Sequence, residues 1–323
     1  MNNTKKETLM KIIRNIRWAV IIILAVGYAI GTATAETDKN SRDHSTGVHD
    51  ARTTLSARWK KAETGSSLPT SFRDKQPNTI NRADALYRAF DILCLSGRPL
   101  RILQLGDSHV AAGSYPAAVR KTLEEAWGKA ENDTTGQGVV YSFMARNGAT
   151  ASQFANRERM EKIAAARPDL IILSFGTNEC HGMGYREELH RTQLEDFYDM
   201  LSETCPNAVI MMTTPPGDYL TTRSTRFVRN RKGRRSRKVV HSSSRVNPMS
   251  ARCAGELESF GEEHGLAVWN LNGIAGGPVA VRNWTAAKMM RPDRIHFTPE
   301  GYQLHGRLLG EAILGAYNDY LEN

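Results

Sequence analysis

From Asn81 onward the chain alternates between two hydrophobic rhythms. Ala83, Leu86, Tyr87, Phe90 and Leu93 recur at helical spacing, and an unbroken apolar run of strand length follows at 100–105. Similar runs recur at 139–143, 170–175, 208–212 and 266–271. Between them the stretches 117–127, 153–166, 187–203 and 251–264 keep helical spacing, and 300–314 predicts a last helix. Strands that alternate with helices predict a parallel sheet covered on both faces, joined by right-handed crossovers. In such a sheet the ligand site lies beyond the carboxyl ends of the strands, near the point where strand order reverses. The segments 106–109, 147–150 and 176–179 each follow a predicted strand and so fall at that edge, while 293–296 precedes the last helix.

The region before Asn81 has neither rhythm. Lys5, Lys6, Lys11, Arg14 and Arg17 precede an apolar run at 18–30, and Ala33-Thr34-Ala35 offers a small-x-small cleavage pattern. Residues 1–35 are therefore expected to be an export signal. The apolar run of about 13 residues falls short of the roughly 20 that a spanning helix needs, so no permanent membrane span is expected once the signal is cleaved; an uncleaved anchor is the alternative. Residues 36–77, rich in Ser, Thr, Asp, Lys and Arg, are expected to be a flexible tether. The folded domain is expected over 78–323, and the protein is expected to work in the periplasm or elsewhere in the cell envelope.

Charge changes this picture in one place. The chain carries 43 Lys and Arg residues against 34 Asp and Glu, a formal charge of +9. Ten of the bases, and no acid, lie within 223–245, so the rest of the chain is nearly neutral. Such a charge describes a segment and not the fold. No nucleic-acid-binding module accompanies it, and nucleic acid is not an expected partner. As an insertion, 223–245 is either a solvated, self-repelling loop or a surface that attracts an anionic polymer at the same sheet edge as Ser108. Cys94, Cys180, Cys205 and Cys253 fit no zinc or CxxC spacing; export would permit disulfides, and buried thiols are equally compatible with the pattern.

The candidate chemistry sits at the predicted sheet edge. A serine hydroxyl is a weak nucleophile unless an imidazole takes its proton and a third group orients that imidazole. Ser108 follows a strand and Gly106, where a sharp turn can expose its hydroxyl, and Asp293 and His296 are spaced to place a carboxylate beside an imidazole. Each has a plainer reading. Ser108 could cap a helix starting near Tyr115, Asn178 could bond its own loop, Gly148 could serve a turn, and Thr298-Pro299-Glu300 is a helix-start signal in its own right. His109 and His181 lack metal-ligand spacing, Glu179 reads as a structural hydrogen-bonding partner, and no metal or cofactor is expected.

Four segments taken together carry a resemblance. LQLGDSH from Leu103 to His109, NGAT from Asn147 to Thr150, GTNE from Gly176 to Glu179 and DRIHFTPEGY from Asp293 to Tyr302 resemble, in order and in approximate gaps, the four motifs of the SGNH (GDSL-type) hydrolases. The wording is most similar to bacterial peptidoglycan O-acetylesterases and related carbohydrate acetylesterases. The resemblance implies a three-layer α/β/α sandwich with a flavodoxin-like parallel sheet of about five strands. It also implies a serine esterase with Ser108 as nucleophile, His296 as general base and Asp293 as its orienter. The oxyanion hole would be formed by the backbone N–H groups of Ser108 and Gly148 and by the side chain of Asn178. The resemblance implies removal of a small acyl group, expected to be O-acetyl, from a sugar hydroxyl of peptidoglycan or another envelope or dietary glycan. An O-acyltransferase using the same residues, a lipid esterase and a catalytically silent glycan-binding module are the alternatives, the last disfavoured by the complete Ser-Asn-Asp-His set.

Overall fold

The computed structural model describes Ala62 and residues 68–323, apart from Met183 and residues 230–235. The expected export signal, 1–35, and most of the expected tether lie outside the described residues. Among the described residues no helix is long and apolar enough to cross a membrane.

Six strands form the central sheet, in the order β1-β8-β5-β4-β2-β3. Five are parallel: β2 (Leu100–Gly106), β3 (Val139–Ala145), β4 (Leu170–Ser174), β5 (Val209–Thr213) and β8 (Ala267–Trp269). Numbered among themselves in chain order they run 2-1-3-4-5, the flavodoxin-like arrangement, with the reversal between β2 and β4. The sixth, β1 (Ile80–Asn81), adds an antiparallel edge against β8 that hydrophobic periodicity did not reveal, because two residues are too few to show a period.

The parallel strands are buried on both faces, which explains their unbroken apolar runs. Leu103, Leu105, Ile171, Leu173, Ile210, Met212 and Val268 pack on one side against α5 (Arg157–Ala165), α7 (Glu187–Thr204) and α8 (Met249–His264). By the two-residue alternation of the pleat, Ile102, Leu170, Ile172, Met211 and Ala267 face the other way, toward α1 (Tyr87–Leu95), α3 (Ser114–Trp127) and α11 (Pro299–Glu322). That layer closes on an aromatic cluster in which Phe90 meets Trp127, Tyr317 and Tyr320 at 5.6–6.1 Å between ring centroids. Two glycines let α11 lie close to α3. A Cβ on Gly306 would come within 2.5 Å of Ala118, and one on Gly310 within 2.7 Å of Thr122.

The amino ends of β2 and β4 are tied by charge. The buried Asp169 accepts from both guanidinium nitrogens of Arg98 at 2.7 and 2.8 Å, from the Arg101 side chain at 3.1 and 3.2 Å, and from the Arg101 N–H at 3.0 Å. Burial opposes ionisation of Asp169, but these bonds outweigh it and hold the carboxyl below its usual range. The opposite, carboxyl ends of the same strands carry the site.

Several boundaries differ from expectation. Residues 68–77, assigned to the tether, pack on the domain. Leu68 and Phe72 are buried, the Phe72 ring meets Trp284 edge-on at 4.8 Å, and Asn283 donates to the Arg73 carbonyl at 2.9 Å. A polar composition concealed two apolar anchors. The predicted helix 153–166 is two helices, α4 (Ala151–Phe154) and α5, because Asn156 is extended and caps α5 by accepting from the Arg159 N–H at 3.1 Å. The last helix continues to Glu322. The basic insertion is not a loop throughout: β6 (Tyr219–Arg229) and β7 (Ser236–Val246) pair in register from Tyr219↔Val246 to Arg229↔Ser236. The described residues of this hairpin beyond its root are exposed almost throughout. No disulfide is formed among the described residues, and Cys94, Cys180 and Cys253 are buried.

Candidate active site

The nucleophile candidate stands on a turn that only glycine permits. A Cβ on Gly106 would lie 2.3 Å from Val110 and 2.9 Å from the Ser174 carbonyl, so β2 can end against β4 only with glycine at that position. Asp107 then caps a one-turn helix, α2 (Ser108–Ala111), by accepting from the His109 N–H at 2.8 Å. Ser108 is thus the first residue of that turn. It does not cap α3, whose cap is Gly113.

Asp293 and His296 come from the loop before α11. This loop is closed on itself: Arg291 donates to the His296 carbonyl at 2.8 Å, and Arg294 donates to the Arg291 carbonyl at 2.9 Å while adopting a left-handed φ of 59°. Asp293 Oδ1 accepts from the N–H groups of Ile295 and His296, both at 3.0 Å, and its Oδ2 meets His296 Nδ1 at 3.0 Å. The far nitrogen, Nε2, lies 2.9 Å from Ser108 Oγ. The structure therefore brings the three predicted residues into one continuous chain of hydrogen bonds. Partial burial works against ionised Asp293, yet the two N–H groups and the imidazole together hold its carboxyl below the usual range. An ionised Asp293 fixes the proton on Nδ1 and leaves Nε2 unprotonated toward Ser108.

The predicted oxyanion donors face the same space. Ser108, Gly148 and Asn178 line a cleft of about 480 Å³ together with His181, His296 and Tyr302. Gly148 has φ 71°, a conformation that favours glycine. The Asn178 amide donates to the Ala149 carbonyl at 2.9 Å and contacts Asp107 Oδ2 at 3.4 Å, the second being long enough to yield to a stronger acceptor. Glu179 joins the two loops that carry these donors: its carboxylate accepts from the Ala151 N–H at 2.7 Å and the Gly176 N–H at 2.9 Å. Burial nevertheless raises its pKa. One side chain thereby ties the segment that follows Gly148 to the turn that carries Asn178.

Behind the serine lies a buried polar layer whose members fall within the motifs but whose burial and contacts the sequence did not reveal. Burial pushes Asp107 up to about 8, assisted by the Glu179 charge and opposed by the His109 N–H. His109, whose Nδ1 meets Tyr302 Oη at 3.1 Å, is pushed down to about 3 by burial and by the neighbouring His296, and so stays neutral. His181 also enters the cleft, with Nδ1 against Asp218. The pairing of His181 with Asp218 was not foreseen, since Asp218 follows Pro215-Pro216-Gly217 and reads as a turn residue.

The comparisons agree with this architecture. A family model described as the GDSL-like Lipase/Acylhydrolase family matches residues 105–304. No curated protein is similar to the chain in sequence. Among solved structures, a peptidoglycan O-acetylesterase superposes with a TM-score of 0.55 at 14% identity, covering 73% of this chain and 97% of that one. A catalytic mutant of an acetylxylan esterase from Geobacillus stearothermophilus gives a TM-score of 0.45 at 17% identity, covering 66% of this chain and 94% of that one. The family match spans well over half of the chain, from the end of β2 into α11, and includes every segment that carries the site. This chain belongs to the GDSL-like lipase and acylhydrolase family and is a serine ester hydrolase.

Proposed function

We propose that the protein is an exported acetylesterase that removes a small O-acyl group from a sugar hydroxyl of peptidoglycan or another glycan. The observation that carries the reading is the hydrogen-bonded chain Ser108–His296–Asp293 opening into a cleft with Gly148 and Asn178 on its wall. Ser108 Oγ attacks the ester carbonyl while His296 Nε2 takes its proton. The oxyanion is received by the N–H groups of Ser108 and Gly148 and by the Asn178 amide, each such donor being worth about 3 to 4 kcal/mol in the barrier. His296 then returns the proton to the leaving sugar oxygen, and water repeats the cycle on the acyl-serine. With His296 about one-third and Asp293 nearly half exposed, water reaches the general base directly, which favours hydrolysis over transfer to a second sugar.

The arm formed by β6 and β7 supports a polymeric, anionic substrate. Arg223, Arg226, Arg229, Arg237, Lys238 and Arg245 stand on it without any acid. Its root adjoins the catalytic loop, where the Tyr219 N–H donates to the Arg294 carbonyl at 3.0 Å and the Arg294 guanidinium lies 5.1 Å from the Tyr219 ring centroid. Deleting 223–245 is expected to raise KM on an anionic polymer and leave a small acetyl ester unaffected.

The primary test is release of p-nitrophenol from esters of increasing chain length, with Ser108→Ala beside the wild type. Turnover that falls steeply beyond acetate and vanishes in the variant supports the reading. Turnover that rises with chain length points to a lipid esterase and removes the acetyl assignment.

A further inference from the structure

The cleft contains a second histidine–carboxylate pair that the reaction above does not use. His181 terminates the short helix α6 (Thr177–Cys180), the same turn that presents Asn178, and lines the cleft with Ser108 and His296. Its Nδ1 is hydrogen-bonded to Asp218 Oδ2. Asp218 is buried, and its other oxygen accepts from the Asn247 amide at 2.8 Å and the Ser250 hydroxyl at 2.6 Å. Asn247 also donates its N–H to the Asp218 carbonyl at 2.9 Å and its amide to the Cys180 carbonyl at 2.9 Å. Asp218 and Asn247 are the residues that bracket the β6–β7 arm. The insertion thus closes at its base into a hydrogen-bonded bracket that ends on the imidazole of His181, about 38% exposed.

A buried carboxylate with three partners cannot turn to serve the substrate itself; what it does is hold one tautomer and one orientation of the ring. With Nδ1 occupied by Asp218, the opposite edge of His181 remains for the cleft, and in the neutral tautomer that donates from Nδ1 to Asp218 its Nε2 is an acceptor. An acetyl group offers no donor to such a nitrogen. A sugar does, through the hydroxyls flanking the ester.

We propose that His181, oriented by Asp218, is the residue that recognises the alcohol half of the substrate, accepting a hydrogen bond from a free sugar hydroxyl beside the esterified one. The assignment rests on the acetylesterase reading and adds its specificity element. It makes the enzyme selective for esters of polyhydroxylated alcohols over esters of simple ones, because a site built to bond a hydroxyl discriminates against the analogue that lacks it.

The test compares three esters on the full chain: a monoacetylated methyl hexoside with its other hydroxyls free, the same ester with the flanking hydroxyls replaced by hydrogen, and p-nitrophenyl acetate. Wild type is expected to favour the hydroxylated sugar over its deoxy analogue by about 10-fold in kcat/KM, the size of one well-placed hydrogen bond. His181→Ala is expected to lose that preference, falling about 10-fold on the hydroxylated sugar relative to its deoxy analogue. His181→Phe, which keeps the bulk of the ring without an acceptor, is expected to behave in the same way. Retention of the preference in either variant overturns the assignment and leaves the acetylesterase reading intact, as does an equal loss on all three esters. A wild type that cleaves p-nitrophenyl acetate but neither sugar ester overturns both.

Discussion

His296 is held by Asp293, three residues away in the same loop and nearly half exposed, whereas His181 is held by Asp218, thirty-seven residues away and buried. The first pair is assembled by a self-contained turn: two loop N–H groups saturate one oxygen of Asp293 and leave the other for the ring. From the rest of the fold it takes the placement of Ser108 and one backbone bond, from the Tyr219 N–H to the Arg294 carbonyl. The second pair exists only because α6, the root of the arm and the start of α8 converge on one carboxylate. Local assembly leaves a carboxylate that water can reach and stability can spare. Long-range assembly makes the carboxylate part of the core, so that its loss is felt by the whole domain.

The largest effect that separates the two pairs is catalytic. His296→Ala is expected to lower kcat by about 10³-fold or more on every ester, since proton transfer from Ser108 fails whatever the alcohol. His181→Ala is expected to act on the sugar ester, through its free hydroxyls, more than on the small ester. Steady-state kinetics on p-nitrophenyl acetate checks this, and comparable losses in the two variants would erase the distinction.

The carboxylates sharpen it. Asp293→Asn is expected to cost about 10²- to 10⁴-fold in kcat by favouring the wrong imidazole tautomer, with little change in Tm. Asp218→Asn has the opposite signature. The new amide turns a donor toward the Asn247 amide, the Ser250 hydroxyl or His181, and the unmade bonds are expected to cost about 1 to 3 kcal/mol, a drop in Tm of several degrees. Thermal melts beside p-nitrophenyl acetate assays distinguish the two; a destabilised Asp293→Asn protein would show that its loop is not self-contained.

This contrast also explains what was legible in the sequence. Ser108, Asp293 and His296 could be singled out because each lies in a short contiguous segment that resembles a family motif; taken one at a time each kept a plainer reading, and only the four segments together, in order, pointed to them. The parallel strands were legible as unbroken apolar runs. Asp218 was not, because nothing in Pro215-Pro216-Gly217-Asp218 indicates that the carboxylate is buried, and its partners Asn247 and Ser250 lie beyond the arm. Composition misassigned 68–77 because Leu68 and Phe72 find their pockets only in the folded domain, against residues such as Trp284. The hairpin itself stayed hidden because Ser, Thr and Arg dominate both of its exposed faces and leave no inside–outside alternation to read.

Glu179 lies between the two extremes, adjacent to Asn178 in the chain yet reaching across to the Ala151 N–H. Glu179→Gln keeps the shape but can accept only one of the two N–H groups without placing its amide against the other. The segment that follows Gly148 and the turn that carries Asn178 then lose that tie. The expected result is a fall in kcat of about 10-fold with KM little changed, since the oxyanion donors matter more in the transition state than in the ground state. A rise in KM at constant kcat would instead place Glu179 in substrate binding.

The last effect concerns Asp107, the carboxylate beside Ser108 that neither pair uses, and it is read in stability and not in turnover. Its pKa in the folded protein is raised to about 8, chiefly by burial, against about 3.9 in an unfolded chain. Between these values the native state holds a proton that the unfolded state has released, so raising the pH draws the equilibrium toward unfolding. The stability this proton confers is complete below pH 4 and is lost progressively as pH rises through 8, with a slope of at most about 1.4 kcal/mol per pH unit. Asp107→Asn cannot ionise and removes that slope. Urea midpoints measured at intervals from pH 5 to 9 should therefore fall more steeply in wild type than in the variant and converge on a constant difference above pH 9. Parallel curves across the whole range would mean that Asp107 is ionised in the folded protein at neutral pH. The Asn178 amide would then face a charged oxygen at 3.4 Å and be held away from the oxyanion; a neutral Asp107 leaves that amide free to turn toward the reacting carbonyl.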